Sequence, residues 1–180
     1  MKMISQISFV LLATLLLSGF RWSLMFGELE WADIDQALDQ DFPTVRQLSV
    51  EEVRSMLDSN QQFVLVDVRE PAEYQVSHLP NALPADAFQP EKSEKDLLIV
   101  AYCSVGLRSA KYVQQLQQQG LQNVYNLRGS IFMWANKGYP LESDNGPVAR
   151  VHPFNDRWGK LLRPELRSEK IGDDVPARRP

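Results

Sequence analysis

Two stretches, residues 63–68 (FVLVDV) and 97–102 (LLIVAY), are apolar almost throughout and rich in β-branched side chains. A strand with one solvated face alternates between apolar and polar. A run without alternation fits a strand buried on both faces, as in a parallel sheet. Around these runs the apolar positions recur at helical spacing. Val50, Val53, Met56 and Leu57 share one face of a segment opened by Ser49, and Glu52 completes a capping box with it. Ala110, Val113 and Leu116 share a face of a second helix, expected over 109–119 and closed by Gly120. Pro71 is placed to start a short helix, and 131–137 reads as the last one. VRQLS (45–49) and NVYNL (123–127) read as further strands, and 77–88 as an irregular, turn-rich connection. Strands alternating with helices predict an α/β domain: a central, mainly parallel sheet flanked by helices on both faces, with its core over about 45–141.

The flanks differ from this core. No charge stands between Lys2 and Arg21, and as a helix residues 3–20 would span about 27 Å, close to a bilayer core. Residues 1–27 are therefore expected to be a signal peptide or a membrane anchor, and the protein to be membrane-anchored or exported. Residues 28–44 read as a linker or a short amphipathic helix, which Pro43 ends by Phe42. A C-terminal extension, 142–180, carries Val151, Phe154, Trp158, Leu161 and Leu162. It is too apolar for a free tail, so it is expected to pack on the domain or on a partner, with the residues after Ser168 disordered.

Composition narrows the chemistry. Hydrophobic residues are 44% and charged residues 23%, a globular mix, and the net charge of −4 argues against a general nucleic-acid binder. One cysteine excludes an internal disulfide, and with two histidines it makes a structural zinc site a poor fit. No metal and no cofactor are expected.

That one cysteine, Cys103, directly follows the run at 97–102, and the chain then passes through Ser104, Val105, Gly106, Leu107, Arg108 and Ser109 into a helix. Ligands of open α/β sheets bind beyond the carboxyl ends of the strands. Backbone N–H groups of 104–109 at a helix start, with Arg108 beside them, make an anion-binding nest that favours a thiolate. Gly106 permits the backbone twist such a nest needs. The pattern points to a cysteine nucleophile.

The loop CSVGLRS resembles the active-site loop of the rhodanese family. DVREPAEYQVSHLPNA (67–82) resembles the family's other signature, and NVYNLRGSIFMWANKGYPL (123–141) is similar to its closing strand and helix. The resemblance implies a sulfurtransferase, with Cys103 holding sulfane sulfur as a persulfide. Residues 104–109 would bind the donor, a small sulfur-bearing anion such as thiosulfate or polysulfide, and a thiol or cyanide would accept the sulfur. Asp67 and Arg69, with Glu73 and Tyr74, are expected to organise the loop, and His78 to hold a turn. Phosphatases that share this loop place the arginine six positions after the cysteine, whereas Arg108 is five after Cys103, a tighter cradle suited to sulfur. Gly129-Ser130 stands where the family commonly has Gly-Gly, and the loop has no second basic residue beside Arg108. The alternative is a non-catalytic module that binds a partner or carries persulfide at a membrane.

Overall fold

Five parallel strands form the central sheet of the computed structural model, which describes residues 27–89 and 97–168. They are β1 (Gln47–Leu48), β2 (Val64–Asp67), β3 (Leu83–Pro84), β4 (Ile99–Tyr102) and β5 (Val124–Leu127), in the order β1-β5-β4-β2-β3. Ile99, Val100, Ala101 and Tyr102 are all 0% exposed. Successive strand residues point to opposite faces, so both faces of β4 are covered, as its unbroken apolar run predicts.

The covering helices are α1 (Trp31–Asp41), α2 (Val50–Asp58), α3 (Pro71–Val76), α4 (Leu107–Gln118) and α5 (Ser130–Asn136). Helix α1 packs on α4, and α2 on α5. The capping box of α2 forms: Glu52 N–H donates to Ser49 Oγ at 3.2 Å, and Ser49 N–H donates to Glu52 Oε2 at 2.7 Å. Helix α4 begins two residues before the expected start, because Gly106 already turns the chain at its N-cap.

Three stretches refine these expectations. Of the two readings of 28–44, the structure has the helix and not the linker: Ile34, Ala37 and Leu38 of α1 are buried in the core, and Arg128 bridges Asp35 and Asp39 on its outer side. The i, i+3, i+4 spacing of those three residues forms the buried face, and the surrounding acids are its solvated one. The turn-rich stretch contains β3, a two-residue edge strand pairing with Val66 and Asp67, short enough to tolerate Pro84. The packed unit also continues past Leu141. There a hairpin of β6 (Leu141–Ser143) and β7 (Gly146–Val148) leads to α6 (Asp156–Gly159) and a 3₁₀ turn at Pro164–Leu166.

Val151, Leu161 and Leu162 of the extension are buried and Trp158 packs against the core, whereas Phe154 is 41% exposed. Among the described residues no helix is long and apolar enough to cross a membrane. The apolar segment 3–20 and the residues after Ser168 lie outside the described residues.

Candidate active site

Cys103 follows the last residue of the central strand and is 1% exposed. The loop from Cys103 to Gly106 is held from two sides. Cys103 N–H donates to Ser130 Oγ at 3.1 Å, and that hydroxyl donates to the Leu127 carbonyl at 2.9 Å. Ile131 and Phe132 N–H groups, free at the start of α5, donate to the carbonyls of Cys103 and Ser104 at 3.2 and 3.0 Å. Ser130 adopts φ 48°, so this non-glycine residue sits in the left-handed region, and its side chain satisfies the buried Cys103 amide in return.

Gly106 turns the chain into α4 at φ +115°, a conformation that costs glycine little, and its N–H donates to Cys103 Sγ at 3.1 Å. Burial pushes the Cys103 thiol up. The Arg108 charge, the Ser109 hydroxyl and N–H, and the Gly106 N–H outweigh it and hold the thiol below its ordinary value.

Arg108 is itself tightly held. Its two terminal nitrogens each donate to one oxygen of Glu73 at 2.8 Å, and one also donates to Ser104 Oγ at 2.9 Å. Ser104 Oγ donates onward to Glu73 Oε1 at 3.0 Å. Burial pushes the Glu73 carboxyl up, but Arg108 and then Arg69 pull it below the usual carboxylate range. Glu73 therefore stays ionised beneath the loop as the counter-ion of Arg108, whose charge still acts on Cys103.

The loop residues named from sequence come together at one point, with different roles. Ser104 and Arg108 contribute polar side chains, Gly106 and Ser109 contribute N–H groups towards sulfur, and Val105 and Leu107 direct their side chains to the core. Asp67 and Arg69 lie at the end of the neighbouring strand, where Asp67 pairs in register with Tyr102. Arg69 donates to both Asp67 oxygens and, at 2.6 Å, to the Ser77 carbonyl. His78 holds a turn: its ring stacks on Tyr74 at 4.2 Å, and its backbone pairs with Glu142.

Two residues at the site carried no sequence signal. Phe154, in the extension, lays its ring 4.8 Å from the Arg108 guanidinium carbon. His152 is 7% exposed, and the charges of Glu73, Arg69 and Arg108 act on its ring. No periodicity or motif ties that segment to Arg108. The VHPFN string, which places a histidine beside an aromatic turn, is the only hint.

The structure thus places one buried thiol at the end of a parallel strand and the start of a helix, beside an ion-paired arginine. The rhodanese-like domain profile matches residues 49–137. A sulfurtransferase of Allochromatium vinosum is 37% identical over 106 residues, covering 57% of this chain and 99% of that protein. The chain belongs to the rhodanese family. It is also 32% identical over 158 residues to the tRNA uridine(34) hydroxylase of Photorhabdus laumondii, covering 80% of this chain and 41% of that protein. The chain thus spans about two fifths of the length of these hydroxylases. The thiosulfate sulfurtransferase of Pseudomonas aeruginosa shares the fold with a TM-score of 0.52 at 22% identity, over 71% of this chain and 25% of that one.

The similarity to tRNA uridine(34) hydroxylases runs against the expectation of a membrane-anchored or exported protein, which is corrected on that finding. The exclusion of nucleic-acid partners, drawn from net charge alone, is withdrawn as well, because the hydroxylases are named for a tRNA nucleoside.

Proposed function

We propose that this chain is a sulfurtransferase in which Cys103 carries sulfane sulfur as a persulfide. The observation behind the reading is the setting of the thiol: Sγ receives the Gly106 N–H at 3.1 Å at the start of a 12-residue helix, and Arg108 favours its charge. In the first step the Cys103 thiolate attacks the sulfane sulfur of the donor. A sulfur–sulfur bond forms on Cys103, the donor's own sulfur–sulfur bond breaks, and its electron pair leaves with sulfite or a thiolate. In the second step a thiol acceptor or cyanide attacks the outer sulfur, and Cys103 departs as thiolate. Electrons balance across the two steps without an external oxidant or reductant. The N–H groups of 104–109 hold the transferred sulfur, Arg108 stabilises the anionic forms of Cys103, and Asp67 and Arg69 support the strand end beside it.

Intact-mass measurement tests the reading. Incubation with thiosulfate, or in parallel with polysulfide, is expected to add one sulfur atom at Cys103, and cyanide to remove it as thiocyanate. The Cys103→Ser protein, nearly isosteric, should keep its circular dichroism spectrum and gain no sulfur. An unchanged wild-type mass with every donor sinks the proposal and leaves a binding module.

A second reading has its own observation. The match to the tRNA uridine(34) hydroxylases covers 80% of the chain and so extends beyond the 49–137 domain. On it, the chain serves tRNA modification. Incubation with tRNA in air followed by nucleoside mass spectrometry decides: hydroxylated uridine favours this reading, and unmodified tRNA favours sulfur transfer.

A further inference from the structure

The extension returns to the site as an anchored turn. Val151 is 0% exposed, and its backbone pairs with Leu166 and Ser168 at 2.8 and 2.9 Å. Pro153 is buried against Gly159, where an added Cβ would stand 2.7 Å from the Pro153 Cβ. Asn155 caps α6 by accepting from Arg157 and Trp158 N–H at 3.1 and 3.0 Å. Between these fixed points Phe154 is pushed outward, 41% exposed and at φ 64°, a conformation that phenylalanine seldom adopts. Its N–H donates to His152 Nδ1 at 3.0 Å. Backbone strain of this kind persists only where the surroundings impose it, and it gathers at functional sites. Here it holds an aromatic face against Arg108, which already spends its terminal nitrogens on Glu73 and Ser104.

The charges at the mouth follow from that contact. Arg108 is ion-paired with Glu73. Burial is the main cause that pushes His152 below the ordinary imidazole value, opposed by Glu73 and reinforced by Arg69 and Arg108, so it adds no positive charge near neutral pH. Of the two basic side chains seen beside Phe154, Arg108 is ion-paired and His152 is neutral, so together they draw a dianion such as thiosulfate only weakly, while a small donor of lower charge loses less by it.

Resting on the sulfur-transfer reading, we infer that Phe154 determines donor specificity: by covering Arg108 and holding it on Glu73, it makes the site take sulfur from hydropersulfides in preference to thiosulfate. With a hydropersulfide R–S–SH, the Cys103 thiolate attacks the terminal sulfur. The new sulfur–sulfur bond makes Cys103 a hydropersulfide, the donor's own sulfur–sulfur bond breaks, and R–S⁻ leaves with its electron pair, so atoms and charge balance.

The test compares single-turnover loading of the full chain from a small alkyl hydropersulfide, ethyl hydropersulfide released in situ, and from thiosulfate, followed by intact mass. The variants are Phe154→Gly, which removes the ring and suits φ 64°, and Phe154→Tyr, which keeps it. The wild type and Phe154→Tyr should prefer the persulfide. Phe154→Gly should lose about ten-fold of that preference, the scale of one partly desolvated cation–π contact, chiefly through a lower KM for thiosulfate. A donor ratio unchanged in Phe154→Gly, or a wild type that prefers thiosulfate, overturns the inference and leaves sulfur transfer standing. Loading from neither donor overturns both.

Discussion

The Asp67–Arg69 pair offers the sharpest test of how the strand end is built. Both side chains are 0% exposed, and Arg69 donates to Asp67 at 2.9, 3.0 and 2.6 Å. Asp67→Asn keeps the shape and leaves an oxygen for the Arg69 backbone N–H, which now donates to Oδ1 at 3.0 Å. It removes the negative charge and puts an amide NH2, a donor, where Oδ2 now accepts from Arg69. The guanidinium then stays buried with its charge uncompensated there, the remaining oxygen at position 67 and the Ser77 carbonyl being its neutral acceptors, and one of its terminal nitrogens already lacks a partner among the described residues. Breaking a buried pair in this way costs roughly 3–5 kcal/mol, so Tm should fall by about 10 °C in thermal denaturation followed by circular dichroism. Adding Arg69→Met removes the stranded charge and should recover at least part of the loss, a recovery that additive damage would not give. Below the lowered Tm, the alkylation rate of Cys103 should match wild type, because the pair supports the strand end without touching sulfur. A Tm within about 2 °C of wild type in Asp67→Asn, well under the expected penalty, refutes the argument that the charge is buried and needs its partner.

Three further outcomes are expected. Cys103 should react with iodoacetamide with a pH midpoint below that of an unstructured thiol, and Arg108→Gln should raise it. Because the folded value is the lower one, the stability this group adds is fully present above the unfolded thiol value and is lost as pH falls through the folded one; urea melts of wild type against Cys103→Ser across that window should diverge as pH rises. Leu38→Ala in α1 should cost about 2–5 kcal/mol in the same melts, since Leu38 is 0% exposed and its side chain backs Gly106.

The parts of the fold that were legible in the sequence are those decided within a few residues. The run at 97–102 announced a doubly covered strand, and Ser49 with Glu52 announced a helix start. Cys103 to Ser109 announced a strand-end nest, and these local signals agree with the tertiary structure. Helix α1 was half legible. Its acids read as a solvated linker because only three of its eleven residues are buried, which leaves the buried face narrow. Strand β3 was illegible for another reason: two residues have no period, and the parallel partner that makes them a strand is β2.

The site divides along the same line, and this bears on its function. The proposed nucleophile Cys103 and its nest are local, so the matched domain contains them. The partner of Arg108 is 35 positions away, and Phe154 arrives from beyond the residues that match the family domain. Chemistry at sulfur needs only the local part: a thiolate, an N–H ring and a cation whose field reaches both. Choice among donors is a matter of what surrounds that cation, because a guanidinium held by a carboxylate and roofed by a ring no longer attracts a second anion strongly. On the sulfur-transfer proposal, the long-range contacts that sequence periodicity does not report are the ones expected to tune which sulfur compound reaches Cys103.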